Sequence, residues 1–513
     1  MRERITFIQK LGDSLEPSAL KVTGSGISGP EVRAVREDRL TLALDELPTE
    51  LHTLLKGVHE LHIRWVSPIA FETVSPLLAR LPPGLHLFYT PGRTSDTTTS
   101  DNLCPALVKT FGNIACLTPA ESFTALQNDR FSHSTTFQYF QPLESLSHFF
   151  SYAKGQLCPA SDSSCATRLD SLTQASSLDV SYDTISHTLK ITALWPYQRQ
   201  AIQATARSQI RTEVGVLSSE IPPSIEPHEL GISGLLTVLG QDSKPSATMF
   251  TFPSRHRDAQ SGFSTKFLEP TGLHPTLQIQ LDSNRPPSDD SYCSAHAYFT
   301  LPRGVFADKY QLADDLFLAS KNLTALRYIS QPVDLEAPEY VMKQWGSAVL
   351  LELSPPPSSE KAQPWTAEIP LHLRYLSPAQ GGYANIEVPY PAVFWACAAE
   401  EGTLFPNNPF ERVNLGYDGL FGPRTVFWHV DPHPQQQQQQ QQQQEQKGSV
   451  VRATNTIRVP VLDLDKAQWV NVVTAITVLL GFGWVAWKLF SVYSRSGHQR
   501  VVSSEPNKDK KWQ

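Results

Sequence analysis

The residues able to do chemistry are scattered through this sequence and do not fall into any catalytic spacing. Fifteen histidines are present, yet no HExxH, no His pair at metal spacing beside acidic ligands and no CxxC occurs. A resident metal needs three or four converging ligands, so the sequence gives no ground for one. His256 stands in a basic triplet, Arg255-His256-Arg257, that reads as a solvated loop. Gly24-Ser25-Gly26 is too short for a GxSxG nucleophile elbow, and Gly231-Ile232-Ser233-Gly234 lacks the residue between Ser and Gly. The acid pairs Asp289-Asp290 and Asp314-Asp315 would serve glycosidic chemistry only if two carboxyls faced each other across a bond. Adjacent acids beside Pro-rich loops are an ordinary surface feature. No Gly-rich loop follows a strand and opens a helix, so dinucleotide and P-loop folds have no support. The reading is a chain with no active site of its own, no metal and no cofactor.

Six cysteines, Cys104, Cys116, Cys158, Cys165, Cys293 and Cys397, permit three disulfides. Cys158 and Cys165 bracket a short polar loop and could close a small ring. Cys104 with Cys116 makes a second local pair, leaving Cys293 and Cys397 in the second half. Six free thiols is the alternative, and the connectivity stays open.

Large aromatics gather in two strings. Residues 301–312 read LPRGVFADKYQL, and residues 371–397 read LHLRYLSPAQGGYANIEVPYPAVFWAC. On physics alone these are strands and tight loops, with Gly381-Gly382 supplying permissive backbone angles. Alternation places Tyr383, Asn385 and Glu387 on one, wetter face. With Tyr390 and Trp395 they form the candidate partner interface, because large rigid aromatics dominate interfaces. Phe394 and Trp395 are adjacent, so at most one of them faces a partner. Pro389 and Pro391 lack amide donors and favour an edge or a bend. Pure core architecture is the competing account of the same string.

The elements that must position these residues are mainly strands. The chain has 513 residues, 40% of them apolar and 18% charged, with 43 Lys+Arg against 50 Asp+Glu. That is enough apolar mass for real cores and no basic excess for nucleic acid. Short β-like runs at 61–66 and 85–89 precede a hairpin pattern, 177–182 and 188–195, while 131–153 has a mixed period and no assignment. Denser strand signals follow at 276–281, 295–301, 348–353, 368–375, 384–388, 393–396 and 425–429, with Pro- and Gly-bearing punctuation. The expected fold is mainly β. It comprises two antiparallel, sandwich-like domains, at 1–225 and 245–465, joined by a linker at 226–244 and followed by one membrane helix. Ten consecutive glutamines at 435–444, extended to 446, lengthen a loop.

From Trp469 to Trp487 no residue is charged, and the run to Phe490 has the length of a bilayer-spanning helix, about 20 residues. Trp469, Trp484 and Trp487 sit where interfacial aromatics belong. Beyond it, Lys488, Arg495, Arg500, Lys508, Lys510 and Lys511 outweigh Glu505 and Asp509. Before it, Arg452, Arg458 and Lys466 nearly balance Asp463 and Asp465. The more positive side stays cytosolic, so the tail at 491–513 is cytosolic and the body lies across the membrane. The start, MRERITFIQKLGDSLEP, lacks the apolar core of an ordinary signal peptide, which alone would favour a tail anchor with a cytosolic body. The sequon Asn322-Leu323-Thr324, usable only in a lumenal body, points the other way and makes Asn322 the expected glycan site.

The patterns HLRYLxP, GGYxNIExPYPxVFWAC and LPxGxFxDxYQL resemble the PIG-X/Pbn family in its fungal form. The resemblance covers residues from about 245 to the end of the membrane span, and 1–225 looks like the family's fungal N-terminal extension. It implies a single-span glycoprotein of the endoplasmic reticulum with a lumenal body and no ordinary cleavable signal. It implies a non-catalytic subunit that stabilises the polytopic mannosyltransferase, of the PIG-M kind, which adds the first mannose to glycosylphosphatidylinositol (GPI) precursors. Two other readings compete: a general lumenal folding factor for membrane proteins, and a lumenal glycan-processing enzyme. The partners expected are the catalytic subunit and the lipid bilayer, with no nucleic acid.

Overall fold

The computed structural model describes residues 1–496 apart from 14, 93–101, 127–135, 157, 159–162, 208–209, 223–224, 227, 289–291, 331–333, 358–360, 407, 411–414 and 434–450. The glutamine tract, the pair Asp289-Asp290 and the basic tail beyond 496 lie outside the described residues.

Strands follow the period-2 pattern. In Thr276–Leu281, Leu277, Ile279 and Leu281 are buried while the intervening Thr and Gln residues stay partly wet. In chain order the strands of the first half are β1 (Arg2–Gln9), β2 (Lys21–Thr23), β3 (Gly26–Ala43), β4 (Val58–Val66), β5 (Gly84–Pro91), β6 (Thr124–Leu126), β7 (Thr136–Gln141), β8 (Ser177–Asp183), β9 (Thr188–Thr205), β10 (Arg211–Glu220), β11 (Glu229–Val238) and β12 (Ser246–Pro253). Among the described residues they form one sheet, ordered β12-β11-β10-β1-β3-β9-β8-β4-β5-β7-β6, with β2 on β3. The second half supplies β13 (His256–Phe267), β14 (Thr276–Leu281), β15 (Cys293–Pro302), β16 (Val305–Phe306), β17 (Leu323–Ile329), β18 (Gly346–Leu353), β19 (Trp365–Pro370), β20 (His372–Leu373), β21 (Tyr383–Pro389), β22 (Ala392–Ala398), β23 (Thr425–Pro432) and β24 (Thr454–Pro460). Eight of these form a sheet in the order β17-β18-β15-β22-β23-β13-β14-β19, while β16 pairs β20 and β21 pairs β24. Within the two large sheets, pairing among the described residues is antiparallel except for β1 with β10 and β13 with β23.

The hairpin expected at 177–195 is present as β8 and β9, registered from Ser177 opposite Leu194 to Asp183 opposite Thr188. Asp183 closes its turn by accepting from the amides of Ile185 and Ser186, at 3.0 and 2.6 Å. Residues 131–153, which carry no assignment from sequence, contain β7 and most of the helix Ser147–Gln156.

Two expectations are corrected. The stretch 226–244 is not a linker, because β11 lies inside it and pairs along its length with both β10 and β12. Pro222 precedes the Glu229–Val238 run, and the sheet continues through that run without dividing into domains. Nor do the two halves keep separate cores: Met1–Leu376 and Asn385–Ile457 make one compact unit. Leu85, Phe88 and Phe140 of the first sheet share a hydrophobic cluster with Tyr298, Trp345, Phe394 and Phe427 of the second half. The Trp345 indole donates to the Gln138 carbonyl at 2.9 Å, and the Gln138 amide donates to the Tyr298 hydroxyl at 2.9 Å.

Disulfides join Cys104 to Cys116, Cys158 to Cys165 and Cys293 to Cys397. The last bridges two strands at directly opposed positions of β15 and β22.

A second compact unit comprises Ser377–Ala384 and the chain from Arg458 onward. Within it the Ala379 amide donates to the Leu462 carbonyl, and the Leu464 amide donates to the Ala379 carbonyl, both at 3.1 Å. Gly381 and Gly382 both take φ +74, the left-handed region that glycine enters without a Cβ penalty. The unit continues into the helix Ala467–Ser496, thirty residues or about 45 Å at 1.5 Å per residue. That exceeds the hydrocarbon thickness of about 30 Å, and none of its apolar window is buried by protein.

Candidate interaction surface

The string 371–397 holds the short β20 and then two strands of opposite character, β21 and β22, joined through Pro389-Tyr390-Pro391. Among the described residues β21 pairs with β24 alone, in a two-stranded sheet, and Tyr383 and Asn385 on it are exposed. The Tyr383 ring lies under the Arg458 guanidinium at 3.8 Å, a cation–π contact that holds the ring in place. Glu387, next on that face, is half-buried and engaged. Arg452 donates to it at 3.2 Å and to Glu144 at 3.0 and 2.5 Å. The Arg452 hydrogen bonds hold the Glu144 carboxyl below its ordinary range. Burial, then the neighbouring Glu144, pushes Glu387 up. Glu387 therefore ties the second half of the body to the first and is a structural group before it is a recognition group.

Two members of the expected interface are corrected to core. Trp395, 3% exposed, lies on β22 between β15 and β23, opposite Ala295 and Trp428. Both faces of this central strand are covered, so its adjacent residues Phe394 and Trp395 are both buried and neither faces a partner. Tyr390, 5% exposed, turns inward at the bend and its hydroxyl donates to the Thr265 carbonyl at 3.0 Å. Alternation predicted which residues share a face, but not that a strand would be covered on both. Asn322 is exposed at φ +55 and its side-chain amide donates to the Thr366 carbonyl at 2.8 Å.

His256 is also corrected. It is no solvated loop residue but opens β13 with 5% exposure, stacked on Phe427 and hydrogen-bonded to His429 at 2.9 Å. Burial pushes its pKa down to about 3, so it packs as a neutral ring. The flanking arginines concealed this, although they turn aside: Arg255 donates to the carbonyls of Thr425 and Gly422, and Arg257 to that of Glu229. Among the described residues no group of three His, Cys, Asp or Glu is placed to hold a metal ion. What the exposed edge offers is an aromatic ring, an amide and a peptide backbone, which suit recognition.

A sequence profile described as PIG-X / PBN1 matches residues 270–490. The similarity also runs the whole chain. Protein pbn1 of Neurospora crassa is 64% identical over 504 residues, covering 98% of each chain. The chain belongs to the PIG-X / PBN1 family. Protein PBN1 of Gibberella zeae is 47% identical over 513 residues, all of both chains, and PBN1 of Yarrowia lipolytica is 26% identical over 519 residues, 94% of this chain and 95% of that one. As a PIG-X / PBN1 protein it is a non-catalytic component of GPI-anchor biosynthesis in the endoplasmic reticulum membrane. Among the described residues it has one membrane-length helix, which gives it a single-pass topology with the large N-terminal body in the lumen.

Proposed function

We propose that this protein is the stabilising subunit of the mannosyltransferase that adds the first α-1,4-linked mannose to GPI precursors. The observation that carries the reading is the length of the family relationship. Identity at 64% over 98% of both chains means that the first sheet, and not only the profile-matched segment, belongs to the same working molecule. The partner is a polytopic catalytic subunit of the PIG-M kind, which supplies the active site. This chain contributes a bilayer helix and an exposed lumenal edge at Tyr383 and Asn385. Interfaces of this kind rest on a few large rigid side chains, and Tyr383 is the exposed aromatic on that edge.

The test is depletion of this protein, with two readouts: the steady-state level of the catalytic subunit and addition of the first mannose in microsomes. The expected outcome is that both fall together, while unrelated lumenal and membrane proteins hold their levels. A normal catalytic subunit with normal first-mannose addition would overturn the reading. A broad loss of unrelated membrane proteins would replace it with a general folding factor.

A further inference from the structure

The aromatic inner face of the second sheet ends in a polar groove. Along β15, β18 and β22 the buried side chains run Tyr298, Leu350 and Phe394, then change to His296 and Glu352, with the half-buried Ser294 beyond them. There a groove of about 520 Å³ opens, walled by Tyr292, Tyr328 and Phe421, with His296, Arg327 and Glu352 lining it. The volume falls within the range of small-ligand sites, about 300–1,000 Å³.

The polar groups on the floor are set up as acceptors. His296 is 2% exposed, and its Nδ1 meets the Ser294 carbonyl at 3.0 Å, so Nδ1 carries the proton and Nε2 carries a lone pair. Burial holds the ring neutral, with a pKa down to about 4. Nε2 makes no hydrogen bond among the described residues; the nearest carboxylate oxygen, Glu352 Oε2, is 4.0 Å away. Nε2 is therefore an acceptor available to a ligand in the groove that His296 lines. Glu352, 6% exposed, takes the Arg327 guanidinium on Oε2, which leaves Oε1 as a second acceptor. The Arg327–Glu352 pair cancels its own charge, so the groove has no field to hold an ion. Its demand is for hydroxyl donors side by side, on a molecule with apolar faces for the aromatic walls.

We propose that this groove is a binding site for a neutral hexopyranose, with His296 Nε2 and Glu352 Oε1 accepting from adjacent ring hydroxyls. Tyr292, 78% exposed, is the rim residue that covers the sugar. The inference does not depend on the partner assignment, and its failure would leave that reading untouched.

The test uses full-length protein in nanodiscs with methyl α-D-mannopyranoside and methyl α-D-glucopyranoside at millimolar concentration, read by saturation-transfer NMR, and inorganic phosphate as competitor. His296→Phe keeps a ring stacked on Phe394 and edge-on to Phe421 while removing Nε2. The expected result is saturation transfer to at least one glycoside, with affinity reduced about tenfold in His296→Phe, the order for one lost buried hydrogen bond. Tyr292→Ala, outside the core, should weaken binding several-fold and settles the matter alone if His296→Phe fails to accumulate. No transfer to either sugar, transfer unchanged in both variants, or displacement of the sugar by phosphate would each overturn the proposal.

Discussion

The two sheets bury polar side chains by different means. The first buries charges in pairs. Arg64 meets Asp179 at 2.5 Å with both side chains nearly inaccessible, and Glu37 receives Arg4 at 2.8 Å and Arg39 at 3.4 Å. Arg36 makes two bonds of 2.8 Å to Asp38, while its guanidinium lies over Phe7 and Trp195. The second sheet buries neutral imidazoles. His256 and His429 share one hydrogen bond in an aromatic cluster with Phe394, Tyr417 and Phe427, and His296 lies between Phe394 and Phe421. His86 is the first sheet's counterpart, bonded to the Pro82 carbonyl at 2.7 Å. A buried ion pair needs both of its partners, because removing one leaves the other charge buried. A buried imidazole resists a proton that the unfolded chain accepts readily. The difference predicts that mild acid attacks the second sheet and that mutation of a single charge attacks the first.

Acid should give the largest effect. Burial holds His86 and His256 down to about 3, His296 to about 4 and His429 well below its usual value. In the unfolded chain each takes up its proton near 6.5. Stability is therefore complete above about pH 6.5 and is lost as pH falls toward the folded values, by roughly 1.4 kcal/mol per histidine for each pH unit. Urea midpoints of the full-length protein at pH 7.5 and 5.5 should differ by several kcal/mol once multiplied by the slope. His256→Phe with His429→Phe replaces both partners by rings and should remove about half of that difference. An unchanged difference in the double variant would break the comparison.

Next in size is the stranded charge. Asp179→Ala removes the carboxylate that meets the buried Arg64 guanidinium and should cost about 3–5 kcal/mol. Replacing both, Arg64→Met with Asp179→Leu, should cost far less, because well-packed apolar side chains often match a buried pair. Thermal melting of the two variants checks this. Equal losses would mean that shape, and not the uncompensated charge, sets the cost at this position.

Much of this fold was legible before the coordinates. Strand positions such as 276–281 follow from alternation, and the 177–195 hairpin follows from two alternating runs around a turn closed by Asp183. What alternation cannot show is how many faces of a strand are covered. Trp395 and Tyr390 look like interface aromatics in sequence because their burial depends on β15, β23 and Thr265, elements distant along the chain. The same limit hid His256, whose partner His429 is 173 residues away. It also hid β11, whose residues carry ordinary strand chemistry but sit between proline-bearing stretches that read as a linker. Charge was misleading where it flanked burial, at Arg255 and Arg257. The membrane helix was legible because a lipid-facing helix needs no distant partner, only its own length and composition.

The smallest effect on stability, and the sharpest test of recognition, concerns polar groups that are neither paired in a core nor held neutral but left in water. Tyr383 is 49% exposed and its contact with Arg458 is a partly exposed cation–π pair, worth about 0.5–1 kcal/mol. Glu387→Ala would be a poor probe of this edge, because it also removes a carboxylate from Arg452 and loosens the tie to Glu144. Tyr383→Ala with Asn385→Ala avoids that ion pair. The double variant should accumulate to wild-type level and melt within about 1 kcal/mol of it, as exposed substitutions usually do. Co-purification of the catalytic subunit should nevertheless fall about tenfold, the size of loss produced when one interface anchor is truncated. Trp395→Ala serves as the contrast: removing a buried Trp should cost about 3–5 kcal/mol and lower abundance and co-purification together. If the double variant keeps full co-purification, the exposed strand is not the docking edge. The aromatic string would then be architecture throughout, with partner contact carried elsewhere on the chain.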